Sequence, residues 1–176
     1  MVLSLACSFA VAQPAPQNDG QEQTGDEQKT ELPAFPKDEN LAKIQVDAAA
    51  SFDFLVDLPS VSVGKDGVVR YTLVARSAGG ATNITYEGIR CKGRERKLYA
   101  FGRADRTWSA ARNPQWASIS SISVNRAQAT LYDWFFCPAQ IIVRDAEEAR
   151  NLLKRGGDPS GSGSVGTWDR NQSQSR

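Results

Sequence analysis

The sequence predicts an α+β fold, an antiparallel β meander of about four to six strands followed by two helices, and three observations predict it. Between residues 52 and 110, short apolar runs alternate with Gly-containing polar turns. After Asn113-Pro114 the periodicity becomes helical. Two cysteines, Cys91 and Cys137, end a strand-like run and a helix-like run respectively, where one disulfide can tie the two halves together.

Taken in order, Phe52–Leu58 is the first strand, stopped by Pro59. Gly64-Lys65-Asp66-Gly67 is a hairpin signal, because Asp-Gly tolerates the positive φ values of tight turns. The next strand sets Val69, Tyr71, Leu73 and Ala75 on one face and Arg70, Thr72 and Arg76 on the other. Gly79-Gly80 turns into Thr82–Cys91, whose apolar positions change from even (Ile84, Tyr86) to odd (Ile89, Cys91). That change of phase, with Gly88 at the crossover, predicts a β-bulge. Lys92-Gly93-Arg94-Glu95 is a further turn, leading to Leu98–Phe101 and, past residues 102–105, a short strand at Thr107–Ala110. Ala127–Phe136 reads as a helix with Leu131, Trp134 and Phe135 on its buried side, closed by Pro138. Ile141–Val143 is a short strand or buried connector. The last helix, Ala146–Arg155, has Asp145 as cap, Glu148 at the capping-box position, Lys154 and Arg155 at its negative end, and Gly156 as its stop.

Four regions follow. Residues 1–12 read as a signal peptide: an apolar run from Met1, then Ala10-Val11-Ala12, with cleavage expected between Ala12 and Gln13. The basic n-region is missing, so the true start is expected upstream. Leu5-Ala6-Cys7 gives a lipid anchor through Cys7 as the alternative, weakened by Ser4. Residues 13–43, rich in Gln, Glu, Asp and Pro, are expected to be a disordered acidic linker. Residues 44–156 form the single globular domain, and 157–176 a flexible Gly/Ser tail. The expected location is the periplasm.

Composition excludes more than it assigns. The chain has no histidine, so histidine-dependent triads, histidine-ligated zinc and histidine-ligated haem are ruled out. No cofactor and no metal site are expected, and no run of apolar residues is long enough for a transmembrane helix. Charge is uneven: residues 13–43 hold seven acids and three bases, net −4, while residues 64–112 hold eleven bases and four acids, net +7.

The phrases FDFLVDLPSVSVGKDGVVRYTLVARS, YEGIRCKG, KLYAFG, ARNPQW and LYDWFFCP, spread over residues 45–156, resemble the cryptic neisserial protein-like family, a group of proteobacterial proteins to which no activity is attached. The resemblance implies export to the periplasm and agrees with pairing Cys91 to Cys137. On the residues alone, signal cleavage removes Cys7, and the two remaining cysteines would pair in an oxidising compartment. Two buried thiols, or a redox pair, are the alternatives, although no C-x-x-C spacing supports the latter.

The candidate binding residues are basic. Arg90, Lys92, Arg94, Arg96, Lys97, Arg103 and Arg106 crowd two adjacent turns, with Tyr99, Phe101 and Trp108 between them. They form either a site for an anionic envelope component or acidic protein, or a solvated strand edge. A third reading folds the acidic N-terminal segment back on them in cis. Nucleic acid is not expected, given the periplasmic address. Asp53 and Asp57 lie roughly 13 Å apart on one strand face, too far for paired carboxylate catalysis, and are expected on a polar outer face. Ser60, Ser62 and the serines of 118–123 have neither a histidine nor an S-x-x-K partner, and Asn83-Ile84-Thr85 is only a formal sequon. Trp134 is expected in the core and Trp116 in a polar loop. The function expected is a non-enzymatic envelope binding or assembly protein; the alternative is a carboxylate-dependent envelope hydrolase.

Overall fold

A computed structural model describes residues 27–46, 51–120 and 125–156. The leader, Cys7, the Ala12/Gln13 junction and the 157–176 tail lie outside the described residues. Seven strands make one antiparallel sheet: β1 (Leu41–Ile44), β2 (Phe52–Val63), β3 (Val68–Ser77), β4 (Thr82–Arg90), β5 (Glu95–Gly102), β6 (Trp108–Ala110) and β7 (Ala117–Ser118). The order β1-β2-β3-β4-β5-β6 is the meander the turn spacing predicts, and β7 joins the same edge of β5 as β6. Helix α1 (Arg126–Leu131), a π-helical turn at Tyr132–Phe136, a 3-10 turn at Pro138–Gln140 and helix α2 (Ala146–Lys154) complete the α+β fold.

Local chemistry explains each element. The β2–β3 hairpin closes at Gly67, whose φ of +71° suits a residue without Cβ, and Gly67 N–H donates to the Gly64 carbonyl at 3.1 Å. Pro59 does not end β2 as expected. It lies in the register shift between Asp57 and Ser62, where its missing N–H costs the ladder nothing. A second register shift falls between Tyr86 and Glu87, but the extra residue, Tyr99, is on β5; β4 itself keeps an unbroken register with β3, and its apolar positions change phase because Tyr86 lies on one buried face and Ile89 on the other. Gly88 is needed there, since a Cβ would meet Tyr99 Oη at 2.7 Å and Val68 Cγ1 at 3.0 Å. Asp145 caps α2 by accepting from Glu148 N at 2.8 Å, and Glu148 Oε2 accepts from Arg144 N at 2.7 Å.

One face of the sheet packs against the helical half. Val56, Val61, Val69, Tyr71, Leu73 and Ile89 meet Leu131, Phe135, Phe136, Ala149, Leu152 and Leu153, with the Tyr71 and Phe136 rings 5.1 Å apart. The disulfide Cys91–Cys137, Cα atoms 5.6 Å apart, ties β4 to the end of the π-helical turn. Trp134 is a correction. It was expected beside Leu131 and Phe135, but an i→i+5 turn aligns Leu131 with Phe135 and Phe136 and rotates Trp134 out, leaving it 62% exposed.

The other sheet face departs from expectation more. Arg70 and Thr72 lie on the face opposite Val69 and Tyr71, as the alternation predicts, but that face is covered too: both are buried, as are Val68, Val74 and Tyr86 beside them. Residues 27–40, part of the segment expected to be disordered, cover this face as a strap before entering β1. Phe35 stacks 5.4 Å from Trp108, which lies 6.1 Å from Tyr86, and Trp108 Nε1 donates to the Pro33 carbonyl at 2.9 Å. Composition alone missed the strap because its few apolar groups, Pro33, Phe35 and Pro36, are docked on a sheet face rather than gathered in a core of their own.

Candidate functional site

Each basic residue of the two turns can now be followed to its surroundings. Arg90 pairs with Glu95 at 2.5 Å and stacks over the Trp116 ring at 4.5 Å. Arg94 makes a two-pronged contact with Asp133, at 2.5 and 2.8 Å, and lies 4.4 Å over the Tyr132 ring. The Asp133 carboxylate raises the pKa of that guanidinium. Lys97 donates to Glu27 at 2.7 Å. Arg103 donates to Ser109 Oγ at 2.8 Å, and Arg106 lies over the Phe35 ring at 5.4 Å. Lys92 is exposed at the turn, and Arg96 Nε is buried without a hydrogen-bond partner. The seven therefore do not form one continuous cationic surface. Most are neutralised by acids or stacked on rings of this same chain.

The acidic segment does return to this region in cis. The Glu27 carboxylate accepts from Lys97 Nζ at 2.7 Å, Tyr99 Oη at 2.7 Å and Trp116 Nε1 at 3.3 Å, and Arg70 Nη2 stands 3.9 Å away. Burial alone would raise its pKa, but the hydrogen bonds from Lys97, Tyr99 and Trp116 outweigh it and hold Glu27 below the ordinary glutamate range. Arg70 is itself fixed by Asp66 at 2.6 Å and donates to Thr30 Oγ1 at 3.1 Å. Further along, Asp38 pairs with Arg76. The roles of Glu27, Arg70 and Tyr99 were missed from sequence; the opposite charge of the two regions was the one signal of them.

A groove of about 460 Å³ opens beside the disulfide. Cys91, Lys92 and Arg94 line it from the β4–β5 turn, and Tyr132, Asp133 and Gln140 from the helical half. Three of the residues lining it, Arg94, Ala139 and Gln140, hold positive φ angles (48°, 53° and 64°). Non-glycine residues hold such angles only where the surroundings enforce them, and such residues gather at functional sites. Next in sequence to lining residues stand two exposed apolar side chains, Trp134 and Ile141, 62% and 69% accessible.

A buried polar cluster lies under α1. Glu87, 3% exposed, accepts from Tyr71 Oη at 2.9 Å, Thr85 Oγ1 at 2.8 Å and Gln128 Nε2 at 3.0 Å. Burial, with Glu87 beside it, pushes Tyr71 well above its ordinary pKa, so the phenol stays a proton donor. The cluster specifies how α1 sits on the sheet. Asp53 is exposed in a pair with Lys43 at 2.7 Å, but Asp57, expected outside, is buried opposite Thr72. Ser60 donates to the Asp57 carbonyl at 2.7 Å and Asn83 starts β4 exposed. Among the described residues, no three His, Cys, Asp or Glu side chains gather as metal ligands.

With this geometry in place, a family model for CNP1-like proteins matches residues 20–154, most of the chain. The chain belongs to the CNP1-like family. The match takes in the strap, the whole sheet and both helices. No curated protein and no solved structure gives a match. Among the described residues no helix is long and apolar enough to cross a membrane.

Proposed function

We propose that this CNP1-like protein is exported to the periplasm and acts there as a non-enzymatic binding protein for an anionic envelope component or acidic protein. The observation that carries the reading is the groove beside the disulfide, where Lys92 lines the wall, Arg94 is held by Asp133, and Trp134, the residue after Asp133, is exposed. Tryptophan and arginine dominate binding energy at protein interfaces, and an exposed tryptophan on a rigid turn is otherwise a solubility cost. The bonded cysteines support an oxidising compartment. A carboxylate-dependent hydrolase has less support, because Asp133, the one acid lining the groove among the described residues, is engaged by Arg94.

Retention of the full chain on anionic liposomes and on heparin-like resin tests the proposal. Wild type should be retained at low salt and eluted as salt rises. Trp134→Ala with Lys92→Ala should lose retention while melting at the same temperature. No salt-dependent retention on either matrix would sink it. Intact mass of periplasmic protein, beginning at Gln13, tests the location; a chain retaining Met1 or carrying lipid on Cys7 would overturn it.

A further inference from the structure

The strap docks by side chains and single carbonyls, since among the described residues 27–40 belong to no strand. Four anchors hold it. Glu27 sits among Lys97, Tyr99 and Trp116; Thr30 Oγ1 accepts from Arg70; the Pro33 carbonyl accepts from Trp108; and Phe35 lies against Trp108. The Gln28 backbone adds a bond each way, its N–H to Asp66 at 2.9 Å and its carbonyl from Arg70 at 3.3 Å. Anchors at positions 27, 30, 33 and 35 of an extended chain are the pattern by which a protein groove reads a foreign peptide.

The receiving residues all stand on the sheet and its turns. Arg70 stands on β3, braced by Asp66; Lys97 and Tyr99 stand on β5; Trp108 begins β6; Trp116 precedes β7, its ring under Arg90. Its donors converge on one carboxylate, with the buried guanidinium of Arg70 behind them. The partners' charges are complementary over a wider range, net +7 for residues 64–112 against net −4 for residues 13–43.

We propose that this sheet face is a groove for an acidic extended segment of a partner protein, one that carries a glutamate at its start and an aromatic ring eight residues on, like Glu27 and Phe35. The chain's own strap is the resident occupant, which such a segment displaces. The inference goes beyond the groove at the disulfide, and either can fail without the other.

The test uses the full chain carrying Glu27→Ala, Thr30→Ala and Phe35→Ala, and a fluorescent peptide of residues 24–37. A tethered occupant competes at roughly millimolar effective concentration, so the peptide should bind this variant at least about tenfold more tightly than wild type. Glu27→Ala in the peptide, or Lys97→Ala in the variant chain, should each remove that gain. Equal binding to wild type and variant would overturn the proposal. So would a wild-type dimer that the peptide dissociates, since the strap would then belong to a second copy. Should the triple variant fail to fold, Glu27→Ala alone retains the other anchors. Acetate, against chloride at equal ionic strength, should raise its melting temperature but not that of wild type, and Lys97→Ala should cancel the gain. No acetate-specific gain would overturn the carboxylate site.

Discussion

Asp57 and Thr72 face each other across β2 and β3, both buried, and Asp57 Oδ1 and Thr72 Oγ1 each lack a hydrogen-bond partner. Ser60 serves only part of this pair: it hydrogen-bonds the Asp57 carboxyl group, while its Oγ also lies 2.7 Å from the Asp57 carbonyl and accepts from Thr72 N at 2.8 Å. Burial accordingly raises the pKa of Asp57. The folded chain then binds this proton more readily than the unfolded one. Stability from this site falls as pH rises from the ordinary aspartate range through the raised value, and the penalty is complete above that value. Asp57→Asn should stabilise the protein by about 1 kcal/mol at neutral pH and converge with wild type in acid. Urea unfolding at both pH values measures it; an asparagine variant less stable at neutral pH would refute the account.

The disulfide closes a loop over a sequence separation of 46 and is backed by a hydrogen bond from Tyr132 Oη to the Cys91 carbonyl at 2.9 Å. Cys91→Ser or Cys137→Ser should lower stability by about 2–5 kcal/mol. Tyr132→Phe should cost about 1 kcal/mol, because the docking of the π-helical turn on β4 then rests on the disulfide and apolar packing. Alkylation of native protein should label neither Cys91 nor Cys137 until reductant is added. Labelling of either beforehand would show the pair open.

The meander and α2 were legible because each is encoded locally. Asp-Gly at 66–67 demands a tight turn, and Asp145 with Glu148 marks a helix start whatever surrounds it. The change of phase in β4 marks a strand buried on both faces rather than a bulge of its own, since β4 alternates without a break against β3 and the extra residue beside it is Tyr99 of β5. What failed depended on tertiary partners. Trp134 has helical spacing from Leu131, and only the packing of both Phe135 and Phe136 selects the wider turn that expels it. Arg70 and Thr72 sit on the face that their alternation predicts, but nothing local reveals the strap that buries it. For the site, the basic turns were visible as residues, but their acid partners Asp133 and Glu27 lie 39 and 70 residues away in sequence.

The basic residues should differ sharply from one another on substitution. Arg103 is exposed and its guanidinium donates to the Ser109 hydroxyl, so Arg103→Ser should change stability by less than about 0.5 kcal/mol. Arg94→Ser removes the Asp133 pair and the Tyr132 stacking while leaving a side chain at a φ of 48°, and should cost about 1 kcal/mol. Arg94→Gly loses the same contacts but suits that backbone, so it should cost less than Arg94→Ser. Denaturant titration at low and high salt separates the three. Serine and glycine of equal stability would mean that the turn carries no backbone strain.

Acid should lift the strap before it unfolds the core. Asp66 is buried, which alone would raise its pKa, but the hydrogen bonds from Arg70 and the Gln28 N–H outweigh this and hold it below the ordinary range, as Lys97, Tyr99 and Trp116 do for Glu27. A carboxylate with a depressed folded pKa gives stability that is complete above the ordinary range and is lost as pH falls through the ordinary and then the depressed value. Both groups lie on the strap face, whereas the helical face is held by apolar packing, the disulfide and the Glu87 cluster, whose carboxylate is buried under α1. On acidification, Trp108 and Trp116 fluorescence and hydrogen exchange at 27–37 should therefore change while the amides of β3 remain protected. Arg70→Met leaves Asp66 buried and unpaired and should cost about 3 kcal/mol, part of it recovered by adding Asp66→Asn. The double variant should also shift the acid step, since Glu27 alone then titrates. Strap and β3 amides losing protection in a single step would show that the strap is part of the global unfolding unit, and would refute this order of events.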